Sequence, residues 1–267
     1  MLDCLVDGEL SRLVSAGNRG LLYGDGVFET IAMLNGVPRF WQLHMDRLTV
    51  ACERLDIPLV PQQLLLREVQ TITAGRGDCV IKIILTRAES GRGYAAGKAR
   101  PPTRIISAYT FPDGVQTQAQ LGIAATMCNL RLAVQPRLAG IKHLNRLEQV
   151  LARSEISQSD VDEGILLDPD DHVVSATSGN IFLVLNGRLL TPRMDRCGVR
   201  GVMRAAVLHA FRPLCEQRRI QLDMLPDAQE IFICNAVRGV IPVTRIDHWQ
   251  YEIGPRTREV QEWLVQQ

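Results

Sequence analysis

Hydrophobic and polar positions along the chain fall into two periods. Near the start, "LDCLVDGELSRL" alternates around Asp7-Gly8, and "GVFETIAML" and "VPRF" flank Asn35-Gly36. Both patterns predict two-residue hairpins, because Asp-Gly and Asn-Gly tolerate the positive φ angles of such turns. From Trp41 to Leu55 the spacing changes: Trp41, Met45, Leu48, Cys52 and Leu55 step by three and four, which predicts a helix ended by Pro58. Pro61 opens a second helix, closed by Gly75 and Gly77. "CVIKIILT" and "TRIISAYT" predict strands joined by the long loop "RAESGRGYAAGKARPP".

The polar stretch "FPDGVQTQAQ" predicts a boundary near Asp113. The expected division is 1–112, a linker over 113–120, and a larger domain over 121–267. That second half opens with the strand "LGIAATMC". From Leu144 the apolar positions Leu144, Leu147, Val150 and Leu151 form one helical stripe, which reads as the face that anchors the helix. "GILLD", "HVVSAT", "NIFLVL", "RLLTP", "RIQLDM", "EIFICNA" and "GVIPVTRI" predict strands, "GVRGVMRAAVLHAF" a glycine turn feeding a helix, and "TREVQEWLVQQ" a terminal helix. Helices and strands mix with many hairpins, so the expected fold class is α+β: two domains with largely antiparallel sheets packed by helices.

Composition narrows the chemistry. A net charge of +1 carries no electrostatic footprint for nucleic acid. No apolar run reaches the ~20 residues of a membrane span. "MLDCLVDGEL" has three acids and no basic residue, unlike a signal peptide. Seven cysteines without a C-x-x-C read as reduced thiols of a cytoplasmic protein. "GRGYAAGKA" lacks the P-loop pattern: position 92 is Arg, and Ala99 follows Lys98. H-E-x-x-H and G-x-S-x-G are absent, and no metal is expected from the histidine spacing.

The cationic residues are more informative. Twenty-seven are arginines and only three are lysines: Lys82, Lys98 and Lys142. Arginine stays protonated, whereas a desolvated lysine can become a base or nucleophile. Lys82 in "VIKIIL" reads as a solvated or edge-strand lysine, and Lys98 as an exposed loop residue. Lys142 stands at a joint before a helix, where a side chain can project into a cleft. "GVRGVMR" puts Gly198 and Gly201 at a helix start, which is either a plain tight turn or a phosphate cradle. Arg47 in "HMDRL" is either a surface arginine or a phosphate ligand. A lysine, a cradle and an arginine together suggest a phosphorylated aldehyde cofactor.

The motifs "YGDGVFET", "HMDRL", "LAGIKHLNRLEQVLAR", "NIF", "TP", "GVRGVMR" and "ICNAVRGVIPV" follow one another as in a known family. The chain resembles the fold-type IV pyridoxal-phosphate enzymes: branched-chain and D-amino-acid aminotransferases and 4-amino-4-deoxychorismate lyase. "AGIKHLNRLEQVLAR" and "SGRGY" are similar to the lyase branch. The resemblance implies pyridoxal 5′-phosphate in the cleft between the domains. It also implies conversion of 4-amino-4-deoxychorismate to 4-aminobenzoate and pyruvate, in folate biosynthesis, by a homodimer. An aminotransferase on the same fold is the alternative, and a non-catalytic pyridoxal-phosphate carrier a third.

By the same resemblance Lys142 is the catalytic lysine that binds the cofactor covalently. Arg47 and the backbone of Gly201, Val202 and Met203 hold the phosphate, with Asn235 and Ala236 as a second contact. Val199 lies against the pyridine ring, and Ser175 and Ser178 belong to the same cofactor set. Arg92, Tyr94 and Thr30 face the substrate. One departure stands out: relatives carry Glu five residues before the Asn of "N-(I/L)-F", and this chain has Ser175. The resemblance then implies a weaker electron sink unless Glu163 or Asp168 reaches in.

Overall fold

A computed structural model describes residues 1–91, 93–157 and 160–267. The chain divides into two compact units: Met1–Phe111 with Ile141–Asn145, and Pro112–Gly140 with Arg146–Gln267.

The first unit contains β1 (Asp3–Val6), β2 (Glu9–Leu10), α1 (Arg19–Tyr23), β3 (Gly26–Leu34), β4 (Val37–Pro38), α2 (Trp41–Leu55), α3 (Gln62–Thr73), β5 (Cys79–Thr86) and β6 (Thr103–Thr110). Among the described residues its six strands form one antiparallel sheet in the order β2-β1-β6-β5-β3-β4. Asn35 and Gly36 turn with φ of +51° and +78°, the left-handed region that Asn-Gly tolerates. Strand alternation gives the sheet two unlike faces. Val27, Glu29, Ile31, Ile81, Ile83 and Ile106 share the buried one, with α2 packing on β3 and α3 on β6. Phe28, Thr30, Lys82, Ile84 and Ile105 share the other, which is half-buried.

The second unit contains α4 (Val115–Leu121), β7 (Ile123–Arg131), α5 (Leu147–Glu155), β8 (Glu163–Leu167), β9 (His172–Ala176), β10 (Asn180–Leu185), β11 (Arg188–Pro192), α6 (Val202–Ala210), β12 (Cys215–Arg218), β13 (Ile220–Gln221), β14 (Glu230–Asn235), β15 (Gly239–Ile246), β16 (Trp249–Gln250) and α7 (Pro255–Val265). Among the described residues its ten strands form one sheet, β12-β11-β10-β14-β15-β7-β8-β9-β13, with β16 on β15. β11–β12, β15–β7 and β7–β8 are parallel, and the remaining pairs are antiparallel. The core of this unit joins Ile165, Ile181, Leu183, Ile231, Ile233, Ile241 and Val243, and Phe182 stacks on Phe232 at 4.9 Å on neighbouring strands. The fold class is therefore α+β with largely antiparallel sheets.

Three local differences from the sequence reading have physical causes. The stretch 113–120, read as a linker, holds α4. Lys142, read with the second unit, clusters with the first, because Ile141–Asn145 pairs with β3: the Phe28 N–H donates to Lys142 C=O at 2.9 Å and the Leu144 N–H to Gly26 C=O at 3.0 Å. α5 begins at Leu147, and its stripe does not pack: Leu147, Val150 and Leu151 are 68%, 57% and 50% exposed. All seven cysteines are free thiols. No helix among the described residues is long and apolar enough to cross a membrane.

Candidate functional site

In the first unit the chemistry gathers on β3. An antiparallel bridge between Val27 and His143 fixes the Ile141–Asn145 segment along the strand. Asn145 Nδ2 adds a bond to Gly24 C=O at 3.2 Å. Lys142 Nζ lies 4.3 Å from the centre of the Phe28 ring, and Lys82 Nζ lies 5.0 Å from that same ring. Both are cation–π distances. Lys82 faces the same way as Thr30, its cross-strand partner. Burial pushes the Lys82 ammonium below its ordinary pKa. Among the described residues no carboxylate lies within ion-pair distance of Lys82, so its charge is uncompensated.

On the other face of β3, Glu29 is buried and anchors two residues of α2. Arg47 donates Nε to Glu29 Oε1 at 2.8 Å and Nη2 to Oε2, and His44 Nδ1 lies 2.6 Å from Oε2. Burial raises the Glu29 carboxyl, but the Arg47 charge and the hydrogen bonds from His44 and Arg47 outweigh it and hold the pKa at about 2. Burial pushes His44 below its ordinary value, only partly opposed by Glu29. Arg47 therefore sits in a fixed, bidentate orientation, and burial favours the neutral form of His44.

Tyr94 is 86% exposed, with its ring 5.4 Å from Tyr23. The buried Arg19 ties its loop down by donating to the carbonyls of Gly93, Tyr94 and Ala95. Arg92 lies outside the described residues.

In the second unit the "GVRGVMR" turn is organised by Asn180. Its Oδ1 accepts from the Gly201 N–H at 3.1 Å, and its Nδ2 donates to Val199 C=O at 2.9 Å. A Cβ on Gly201 would stand 2.0 Å from Asn180 Oδ1, so only glycine fits. Gly201 is the N-cap of α6 and has no side chain with which to cap the first turn. The N–H groups of Met203 and Arg204 thus lack the side-chain acceptor that Ser, Thr, Asp or Asn would bring, at the positive end of the helix. This terminus suits an anion.

Asn180 pairs with Cys234 across β10 and β14, which brings the Asn235–Ala236 turn to the same sheet edge. Asn235 Oδ1 accepts from the N–H groups of Val237 and Arg238, and its Nδ2 donates to Ser178 C=O at 3.1 Å. Gly198, Val199, Gly201, Val202, Met203, Asn235, Ala236 and Ser178 are thus brought together through Asn180 and its strand. Ser175 is buried in β9, opposite Leu166.

The two acids considered beside Ser175 are engaged elsewhere. Glu163, fully buried, accepts from Thr177 Oγ1, Ser178 Oγ and Arg238 Nη2. Asp168 accepts from the N–H groups of Asp170 and His172 and pairs with Arg196 at 3.4 Å. Asp168, Asp170 and His172 also place donor atoms within 4.8 Å of one another. Arg196 bridges both carboxylates, which makes the group an ion-pair cluster.

Reading the sequence missed Glu29, took Lys82 for a solvated or edge-strand lysine, and named Glu163 only as an acid that could reach the ring. Glu29 carries the one usable signal: an acid in phase with Val27 and Ile31 on the buried side of an alternating strand.

The model of the amino-transferase class IV family matches residues 26–246. The chain is 34% identical to the aminodeoxychorismate lyase of Vibrio harveyi over 96% of this chain and 97% of that one. It is 32% identical to a putative branched-chain-amino-acid aminotransferase of Methanocaldococcus jannaschii, over 95% and 91%. The crystal structure of 4-amino-4-deoxychorismate lyase from Pseudomonas aeruginosa superposes with a TM-score of 0.93 at 42% identity, covering 98% of each chain. With a family match across most of its length and full-length relatives above 30% identity, the chain belongs to the class IV amino-transferases.

Proposed function

We propose that the protein is a pyridoxal-phosphate-dependent lyase that converts 4-amino-4-deoxychorismate to 4-aminobenzoate and pyruvate, in the biosynthesis of folate. The observation that carries this reading is the pair of amines on Phe28. Lys142 offers a nucleophile and base, and Lys82 beside it offers an uncompensated cation. A dianionic substrate suits that second charge. Similarity to two lyases over nearly their whole lengths supports the same reading.

The residues fit the cofactor. The uncapped start of α6 would supply backbone donors for a phosphate, and Arg47, held bidentately by Glu29, is a guanidinium suited to the same kind of group. Asn235 and Ala236 would add a second contact, and Val199 would lie on the side of the ring. Pyridoxal phosphate, when bound, supplies an electron-withdrawing ring that stabilises the charge left as a proton departs beside a substrate amine. Lys142, in its neutral form, takes that proton from the amine-bearing carbon. A proton must also arrive at the methylene carbon of the departing enolpyruvyl group, and Lys142 returns it. Substrate and the two products then balance without water. Thr30, Arg92 and Tyr94 orient the substrate.

Ser175 and Ser178 complete the cofactor set. Ser175 puts a neutral hydroxyl where an acid is usual, and the engaged state of Glu163 and Asp168 supports a weaker sink. Formation of an aromatic product compensates for that weakness. The exposed Leu147, Val150 and Leu151 support a homodimer, and seven free thiols accord with a cytoplasmic location.

The test is incubation with enzymatically generated aminodeoxychorismate, following 4-aminobenzoate. Wild type should form it, and Lys142→Ala should lose both turnover and the visible band of bound cofactor. Turnover by Lys142→Ala would reject the assignment. Amino exchange between an amino acid and a 2-oxo acid, without 4-aminobenzoate, would establish the aminotransferase reading that the Methanocaldococcus relative favours.

A further inference from the structure

The turn between β9 and β10 is exposed at Ser178, yet the acid behind it is fully buried. Glu163 Oε1 accepts from Thr177 Oγ1 and from the Gly164 N–H at 3.2 Å. Oε2 accepts from Ser178 Oγ and from Arg238 Nη2 at 2.9 Å. The same Arg238 nitrogen also reaches Ser178 Oγ, and Arg153 Nη1 stands 3.8 Å from Oε1. One carboxylate thereby grips both hydroxyls of the turn and the arginine that follows β14.

What this turn carries is specific. Gly179 follows Ser178, and a Cβ there would meet Cys234 C=O at 2.9 Å, so the backbone is pressed onto β14. Asn180 comes next, and its side chain holds both the Val199 C=O and the Gly201 N–H. Asn235, two residues before Val237, closes the loop by donating to Ser178 C=O. The chain of contacts runs from the Glu163–Arg238 ion pair, through the hydroxyl turn, to the open end of α6.

We propose that Glu163 and Arg238 are positioning residues for anion binding: their ion pair sets the Thr177–Gly179 turn, and through Asn180 it sets the Gly201–Met203 cradle. Glu163 is buried and Arg238 half-buried, so removing Glu163 leaves Arg238 without this carboxylate, and removing Arg238 leaves the buried Glu163 to the looser Arg153 at 3.8 Å. Stability and binding should therefore respond differently to single and double substitution. This inference rests on the proposed use of pyridoxal phosphate.

The test is equilibrium binding of pyridoxal phosphate to the full chain, read from the visible band, with inorganic phosphate as a competitor and thermal unfolding of the apoprotein in parallel. Glu163→Gln should weaken cofactor and phosphate binding about ten- to a hundredfold, the range of a lost charge-assisted hydrogen bond. The double variant Glu163→Leu with Arg238→Met removes both charges. It should recover thermal stability relative to Glu163→Gln while binding stays weak. Should Glu163→Gln fail to fold, Arg238→Lys, which keeps the charge and loses the guanidinium geometry, should weaken binding at near wild-type stability. Wild-type affinity in Glu163→Gln or Arg238→Lys overturns the inference, and so does affinity that returns with stability in the double variant. A wild type that shows no visible band overturns instead the reading of the cofactor itself.

Discussion

Replacing Glu29 with glutamine keeps its shape and deletes one buried charge. In the wild type the carboxyl falls from an ordinary value of 4.5 to about 2 on folding. That difference corresponds to about 3 kcal/mol of stability near neutral pH. The sign follows from the direction: a depressed folded pKa stabilises above the unfolded value and loses that stability as pH falls through the folded one. The window is therefore pH 4.5 down to 2, and about 2 kcal/mol of the contribution is gone by pH 3. His44, also depressed, adds a separate loss as pH falls below its ordinary 6.5. The assay is urea unfolding of the apoprotein at fixed ionic strength between pH 7 and pH 3, by tryptophan fluorescence and circular dichroism. Glu29→Gln should be about 3 kcal/mol less stable at pH 7, because Arg47 is left with an uncompensated charge, and the gap should narrow to about 1 kcal/mol at pH 3. Equal stability at pH 7, or a gap of constant size down to pH 3, would refute the reasoning.

Lys82→Met should raise the KM for aminodeoxychorismate about ten- to a hundredfold while kcat changes little; an unchanged KM in steady-state kinetics would remove Lys82 from substrate binding. Gly201→Ala drives a methyl into Asn180 Oδ1, so pyridoxal-phosphate affinity should drop by about tenfold or more in an equilibrium titration, and retained affinity would show that the turn relaxes freely. Changing Leu147, Val150 and Leu151 together to serine should halve the mass seen by sedimentation equilibrium, whereas a dimer of unaltered strength would point to another interface.

The elements most legible in the sequence were those fixed locally. Alternation located β3 and β5, and Asp7-Gly8 and Asn35-Gly36 marked the β1–β2 and β3–β4 turns, because positive φ is a property of the residues themselves. Lys142 stood out because arginine supplies nearly every other cation. The misreadings arise where distant segments decide the outcome. The stripe on α5 has helical period, but period does not say whether an apolar face meets its own unit or another surface. Lys82 read as solvated because its neighbour Phe28 lies on a strand more than fifty residues earlier. The Glu163–Arg238 pair joins positions 75 residues apart, and no local pattern marks either partner.

The five residues Ile141–Asn145 belong to the first unit, while the chain on both sides of them belongs to the second. The chain therefore passes from one unit to the other three times, at 111/112, 140/141 and 145/146. Neither unit can be excised as a continuous piece of polypeptide. A fragment ending at Phe111 would keep the sheet yet lack the reactive amine, and a fragment starting at Pro112 would carry that amine on a loop without its strand. Gene fusion or recombination at the obvious midpoint would separate Lys142 from Phe28, so the two units can only be inherited, swapped or redesigned together.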